Sequence, residues 1–172
     1  MAQGIVIGLD VGTTNIKAVA LDERGAFLDE ISAGIATAAP QPGWVEQDPE
    51  AIAACAIDCV RRLLAAIGPE ASQVAGLGIA NHTETLVVWD RETGRSVLPA
   101  IIWQCRRGGE EIEPLRSPEN LALIETKTGL DLDPTFTASK LKWPWASACT
   151  SAGAWKVEGA STAGGWMVVS FE

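Results

Sequence analysis

The sequence has little of what metal centres, membranes and nucleic acids demand. It holds one histidine, His82, and its four cysteines (Cys55, Cys59, Cys105 and Cys149) form no CxxC pair. That set lacks the ligand spacing of a zinc site. No apolar run is long enough to span a bilayer. The N-terminus enters a strand pattern at once, with no basic segment leading into an apolar signal core, which predicts a cytoplasmic protein. Positive charge is scarce: 13 Lys and Arg against 22 Asp and Glu leave a net charge of −9. An acidic surface opposes non-specific attachment to nucleic acid or anionic membrane. It leaves phosphate ligands open, because a local cation or Mg²⁺ can hold phosphate on an acidic protein.

What remains is ordinary for a globular chain. It has 172 residues, 47% hydrophobic and 20% charged, enough for one domain with a core. Ile5, Ile7 and Leu9 alternate, as do Ile16, Ala18 and Ala20, which predicts two half-buried strands of one hairpin. They belong to a strand–turn–strand pattern carried by the run GLDVGTTNIKAVALD, residues 8–22. Gly12 allows a tight turn, Thr13, Thr14 and Asn15 supply donors, and Lys17 adds a cation. Donors clustered in a Gly turn can cradle phosphate, and Asp10 beside them can hold Mg²⁺ on it. The same residues also fit a plain hairpin with a polar turn.

A turn at Asp22–Gly25 leads into a third strand, about residues 26–36. Pro and Gly in 39–44 exclude regular structure there. Asp48 as N-cap, Pro49 at the first helical position and Glu50 in the first turn start a helix. Ile52, Ala56, Val60, Leu63, Leu64 and Ile67 repeat at helical spacing until Gly68-Pro69 ends it. Cys55 and Cys59 share one face of that helix as small core residues. A buried strand is predicted from Val74 to Ala80, a strand from Thr85 to Trp89, and a short strand at Ile101–Trp103. A charged helix over 106–116 and a second over 118–128 follow. The order predicts mixed α/β with a central sheet covered by helices.

Four blocks then resemble a known family, the FGGY carbohydrate kinases, and among them the glycerol kinases. They are LDVGTTNIKAV, PQPGWVEQDPE, NHTETLVVWDRETG running on to AIIWQCRR, and KTGLDLDPTFTASKLKW, in the family's order and spacing. The resemblance covers residues 4 to 143 and implies a ribonuclease-H-like α/β domain of the actin and hexokinase type, here incomplete. It implies transfer of the ATP γ-phosphoryl group to a polyol or sugar hydroxyl, with Mg²⁺, by positioning and charge neutralisation. It makes Asp10 the residue facing Mg²⁺, and Thr13, Thr14, Asn15 and Lys17 the contacts to nucleotide phosphate. Lys17 stands where glycerol kinases have Arg, which preserves the charge but not the bidentate fork. Glu84 matches the carboxylate that accepts polyol hydroxyls, and Trp103 the aromatic wall behind the carbon chain. Without the resemblance, Glu84 reads first as a solvated edge-strand acid, and Trp103 equally as core or substrate wall. Arg106 and Arg107 read as members of a solvated helix, or as one guanidinium orienting site carboxylates. His82, where the family has Gln, is expected to hydrogen-bond behind the site, and Trp44 to cover a cleft or anchor its loop.

Two positions depart from the glycerol kinase pattern. Thr83 replaces Arg, and Thr135 replaces Tyr in the Asp-Pro-Tyr-Phe block. Each loses a polyol donor at a cost of about 1–3 kcal/mol, and each leaves room, which predicts a longer polyol or a ketose as acceptor. The resemblance ends at Trp143, within the first domain. The family's Asp base and adenosine-binding residues have no equivalent, so no catalytic residue is assigned. Residues 144–172 form a divergent tail rich in Trp, Ala, Ser and Gly, and Pro144 opposes the helix the family continues there. That loss of pattern reads as a shifted frame or a truncated gene. Three classes follow: the N-terminal part of a kinase inactive by itself, a non-catalytic nucleotide- or polyol-binding module, and an inert piece. The expected partner is a small polyol or sugar, with no nucleic acid or membrane, and a homo-oligomer when full length.

Overall fold

A computed structural model describes residues 4–148, 160–161 and 166–171. The chain divides into two compact units, Met1–Thr37 with Gln47–Thr83, and Ala38–Glu46 with Glu84–Glu172. The single central sheet expected from element order is therefore two sheets, one per unit.

The first unit is built on the predicted hairpin. Strands β1 (Ile5–Val11) and β2 (Asn15–Leu21) pair antiparallel, and β3 (Phe27–Gly34) continues the meander. The Asp22 carboxylate shapes the β2–β3 turn by accepting from the Arg24 and Ala26 amides, both at 2.8 Å. Ile5, Ile7, Leu9, Ile16, Ala18 and Ala20 are all buried, as the alternation requires. Helix α1 (Pro49–Ile67) covers this face from the β2–β3 side. Its start is the predicted one, with Asp48 accepting from the Glu50 amide at 2.9 Å. Ile52, Cys59 and Leu63 form its buried stripe, and burial pushes the Cys59 thiol up. Cys55 is only half-buried.

Strand β5 (Val74–Asn81) lies parallel to β1 at the edge of the order β3-β2-β1-β5. The expectation that it is buried is overturned: Leu77 is 48% and Ile79 62% exposed. α1 packs over β2 and β3 and barely reaches this side of the sheet, so an apolar strand is left at an open edge.

The second unit holds the order β4-β7-β6-β9-β8, formed by β4 (Glu46–Gln47), β6 (Thr85–Asp90), β7 (Ala100–Ile101), β8 (Ala160–Ser161) and β9 (Trp166–Phe171). Leu86 and Val88 on β6 cluster with Ile101 and Cys105, flanked by Trp44, Leu141 and Trp143. Trp44 thus anchors its loop. The apolar run at 167–169 falls in β9, which pairs parallel with β6. Most of the tail expected to be frame-shifted or truncated lies outside the described residues.

Three further expectations change. The charged helix over 106–116 shrinks to α2 (Gly109–Ile112) and one 3₁₀ turn, because Gly108-Gly109 and Pro114 break it at both ends. Arg106 and Arg107 consequently precede the helix. β7 ends at Ile101, so Trp103 lies beyond it. After α3 (Pro118–Thr128), as predicted, α4 (Thr137–Ala148) runs through Pro144. Pro144 removes the amide that would bond the Lys140 carbonyl, yet the helix continues to Ala148. Among the described residues no helix is long and apolar enough to cross a membrane.

Candidate functional site

The first group of residues gathers at one end of the β1–β2 hairpin. Gly12, Thr13 and Thr14 form the turn, and a Cβ on Gly12 would stand 2.7 Å from the Asn15 carbonyl oxygen. Only glycine fits. The turn is held from behind at two carbonyls. Buried Gln47 donates from Nε2 to the Thr13 carbonyl at 2.7 Å and to Thr37 Oγ1 at 3.0 Å. The Ile35 amide donates to the Thr14 carbonyl at 3.0 Å. In a trans peptide the C=O and N–H point in opposite directions. The Thr14 and Asn15 N–H groups are therefore directed away from Gln47 and Ile35, as a cradle for anionic oxygen needs. Gln47 escaped sequence reasoning; its only signal is its place in the PQPGWVEQDPE block.

Asp10 is exposed on β1, opposite Lys17 of β2 and Ala80 of β5. Lys17 does not face the turn: its ammonium pairs with Glu30 at 3.2 Å. That pair is exposed, so breaking it costs little. His82 donates its amide to the Val11 carbonyl at 3.0 Å. Burial pushes its imidazole below the usual value, against contacts from Gly12, Val11 and Asp10 that favour protonation. Thr83 is exposed and ends the first unit.

Gly12→Ala tests the turn. The alanine methyl has to displace backbone, so a loss of about 1–3 kcal/mol is expected in urea unfolding of the chain. An unchanged midpoint would mean the turn tolerates a Cβ.

The second group belongs to the other unit. Glu84 precedes β6, half-buried, with a left-handed backbone at φ 56°. Its Oε2 accepts from the Thr137 amide at 2.7 Å and from Thr137 Oγ1 at 2.6 Å. Lys140, fully buried, donates from Nζ to the Glu84 carbonyl at 3.1 Å and to the Thr135 carbonyl. Burial pushes the Lys140 ammonium down to about 8, with the Glu84 carboxylate opposing that shift. Ile101, the β7 partner of Leu86, lies two residues before Trp103, so Glu84 and Trp103 sit at the same end of the β6–β7 pair. Trp103 is 40% exposed and is no core residue.

Thr135 is fixed by its turn. Its amide donates to Asp133 Oδ1 at 2.7 Å, and Arg106 grips the same carboxylate with two bonds of 3.0 and 3.2 Å. Burial alone would raise the Asp133 carboxyl, but bonds from Thr135 and Arg106 outweigh it and hold it low. Arg106, its side chain 55% exposed, thus pairs with Asp133, which is not one of the expected site carboxylates. Arg107 is not solvated: it is buried against Glu46 at 2.6 Å. Thr135 and Phe136 also line a cavity of about 820 Å³ with Arg116, Glu125, Asp131 and Asp133.

A meander followed by a helix and a parallel strand, with a Gly-Thr turn beside a strand-end aspartate, defines the opening part of an actin- and hexokinase-type ATPase fold. The chain belongs to the FGGY family of carbohydrate kinases, whose N-terminal domain matches residues 5–146. It is 42% identical over 138 residues to a glycerol kinase of Aromatoleum aromaticum, covering 80% of this chain and 28% of that protein. A xylulose kinase from Rhodospirillum rubrum superposes with a TM-score of 0.79 at 25% identity, covering 85% of this chain and 30% of the other. Plasmodium falciparum glycerol kinase with ADP superposes with a TM-score of 0.75 at 24% identity, over 84% of this chain and 29% of the other. The chain therefore spans under a third of the length of the relatives it matches.

Proposed function

We propose that this chain is the N-terminal part of a cytoplasmic kinase that moves the ATP γ-phosphoryl group to a hydroxyl of a small polyol or sugar. The observation that carries this is the Gly12–Asn15 turn, held from behind by Gln47 and Ile35, with Asp10 beside it, in a chain of this family. Thr13, Thr14 and Asn15 would receive nucleotide phosphate, and Lys17 would join them by leaving Glu30. Asp10 would hold Mg²⁺. One carboxylate suits that ion, which takes its remaining ligands from phosphate and water. Mg²⁺ would neutralise charge on the phosphates.

Glu84 would accept an acceptor hydroxyl and Trp103 would pack on its carbon chain, while Thr83 and Thr135 stand where the family has further donors to the polyol. The room beside Thr135 favours an acceptor longer than glycerol. No residue of this chain is assigned as the base that takes the hydroxyl proton.

The test is a phosphorylation assay with glycerol and with four- and five-carbon polyols. The purified chain is expected to bind ligand saturably without turnover, and the full-length protein to turn over. Turnover by the chain would refute the assignment of the base elsewhere. Absence of any nucleotide or polyol binding, with cooperative unfolding lost, would leave an inert piece.

A further inference from the structure

We propose that Thr137 and Lys140 are positioning residues that hold Glu84 with its Oε1 turned toward an acceptor. The inference rests on the reading of Glu84 as the acceptor's hydrogen-bond partner.

Among the described residues Glu84 is the one non-glycine with positive φ. Side chains rarely adopt that conformation, because Cβ crowds the backbone, and it persists only where neighbours enforce it. Two neighbours do so here. The first turn of α4 supplies both donors of Thr137 to a single oxygen, Oε2. Both are short, and the helix N-terminus favours a carboxylate there. Among the described residues Oε1 accepts no hydrogen bond, which on this reading leaves it for the acceptor.

Lys140 acts on the backbone. Its Nζ bonds the carbonyls of Glu84 and Thr135 and makes no ion pair among the described residues. A buried ammonium held by carbonyls alone is a costly arrangement for stability. It ties to one point the two residues that would bound the acceptor, 56 and 5 residues away in sequence. A purely structural cation would serve equally well at carbonyls elsewhere.

The test uses the labelled 172-residue chain and its Thr137→Val, Thr137→Ser and Lys140→Met variants. Glu84 Cα and Cβ chemical shifts report its backbone, amide exchange at Thr137 reports the bond to Oε2, and thermal unfolding reports the fold. Thr137→Val is expected to unfold cooperatively, to speed Thr137 exchange at least tenfold and to weaken binding of a five-carbon polyol about tenfold. Thr137→Ser should restore both. Lys140→Met should move the Glu84 shifts out of the left-handed range. If it does not fold, the Thr137 pair decides alone. Unmoved Glu84 shifts together with unchanged exchange would overturn the proposal. Moved shifts in a chain whose wild type binds no polyol would uphold the clamp and overturn the acceptor reading.

Discussion

Arg107→Met is expected to destabilise the second unit by about 3–5 kcal/mol, the cost of stranding a buried charge. Arg107 is buried and 2.6 Å from Glu46, itself 15% exposed. Its guanidinium lies 4.0 Å from the ring centre of Trp44 and 4.7 Å from that of Trp143. The two indoles meet edge to face at 5.0 Å. Methionine keeps much of the aliphatic stem but removes the charge and the stacking plane. Glu46 then stays in the protein without a cation, and the Trp pair loses the group between its faces. Cation–π contact adds about 0.5–2 kcal/mol to the loss. Urea unfolding of the chain measures the effect. The double variant Glu46→Leu with Arg107→Met separates the causes. If the stranded charge dominates, the double variant recovers most of the stability, because replacing a whole buried pair by apolar groups is often neutral. Equal losses in the single and double variants would put the energy in packing instead.

This cluster also shows what the sequence could and could not disclose. The β1–β2 hairpin, the Asp48-Pro49 start of α1 and the span of α3 from Pro118 were legible because each depends on residues within a few positions. Arg107 was misplaced because its partner Glu46 is 61 residues away. Nothing local to Arg106-Arg107 distinguishes a guanidinium destined for water from one destined for two indoles. The burial of β5 failed for a related reason. Apolar composition says that a strand can be covered, whereas coverage depends on which element reaches it, and α1 stops short. For the candidate site, Asp10, the Gly-Thr turn and Glu84 could be proposed from their blocks, since residue type suggests the chemistry. Gln47, Thr137 and Lys140 could not, because each works through a backbone or carboxylate oxygen far along the chain. Residue type reveals the groups that meet a ligand more readily than those that aim them.

The second large effect concerns the acceptor. Installing Arg at Thr83 and Tyr at Thr135 together in the full-length protein is expected to raise kcat/KM for glycerol relative to a five-carbon polyol by about a hundredfold or more. Each substitution restores a donor of the glycerol kinase pattern, and a hydrogen bond in a closed site contributes about 1–3 kcal/mol, or roughly ten- to hundredfold. Size acts in the same direction. Tyrosine is the larger side chain, so on the proposed reading its ring would take the space of the far carbons of a longer acceptor while reaching a short one. The turn under Thr135 can present that ring without rebuilding, since Asp133 and Arg106 hold its backbone through the Thr135 amide, which any residue retains. On the proposed reading, in which both positions meet the acceptor, the gain should appear mainly as a lower KM for glycerol with ATP saturation unchanged. Preference of the unsubstituted protein for glycerol at an ordinary KM would end the longer-acceptor reading, leaving Thr83 and Thr135 as tolerated losses in a glycerol kinase. A ratio that moves by less than threefold in the double variant would show that neither position contacts the acceptor.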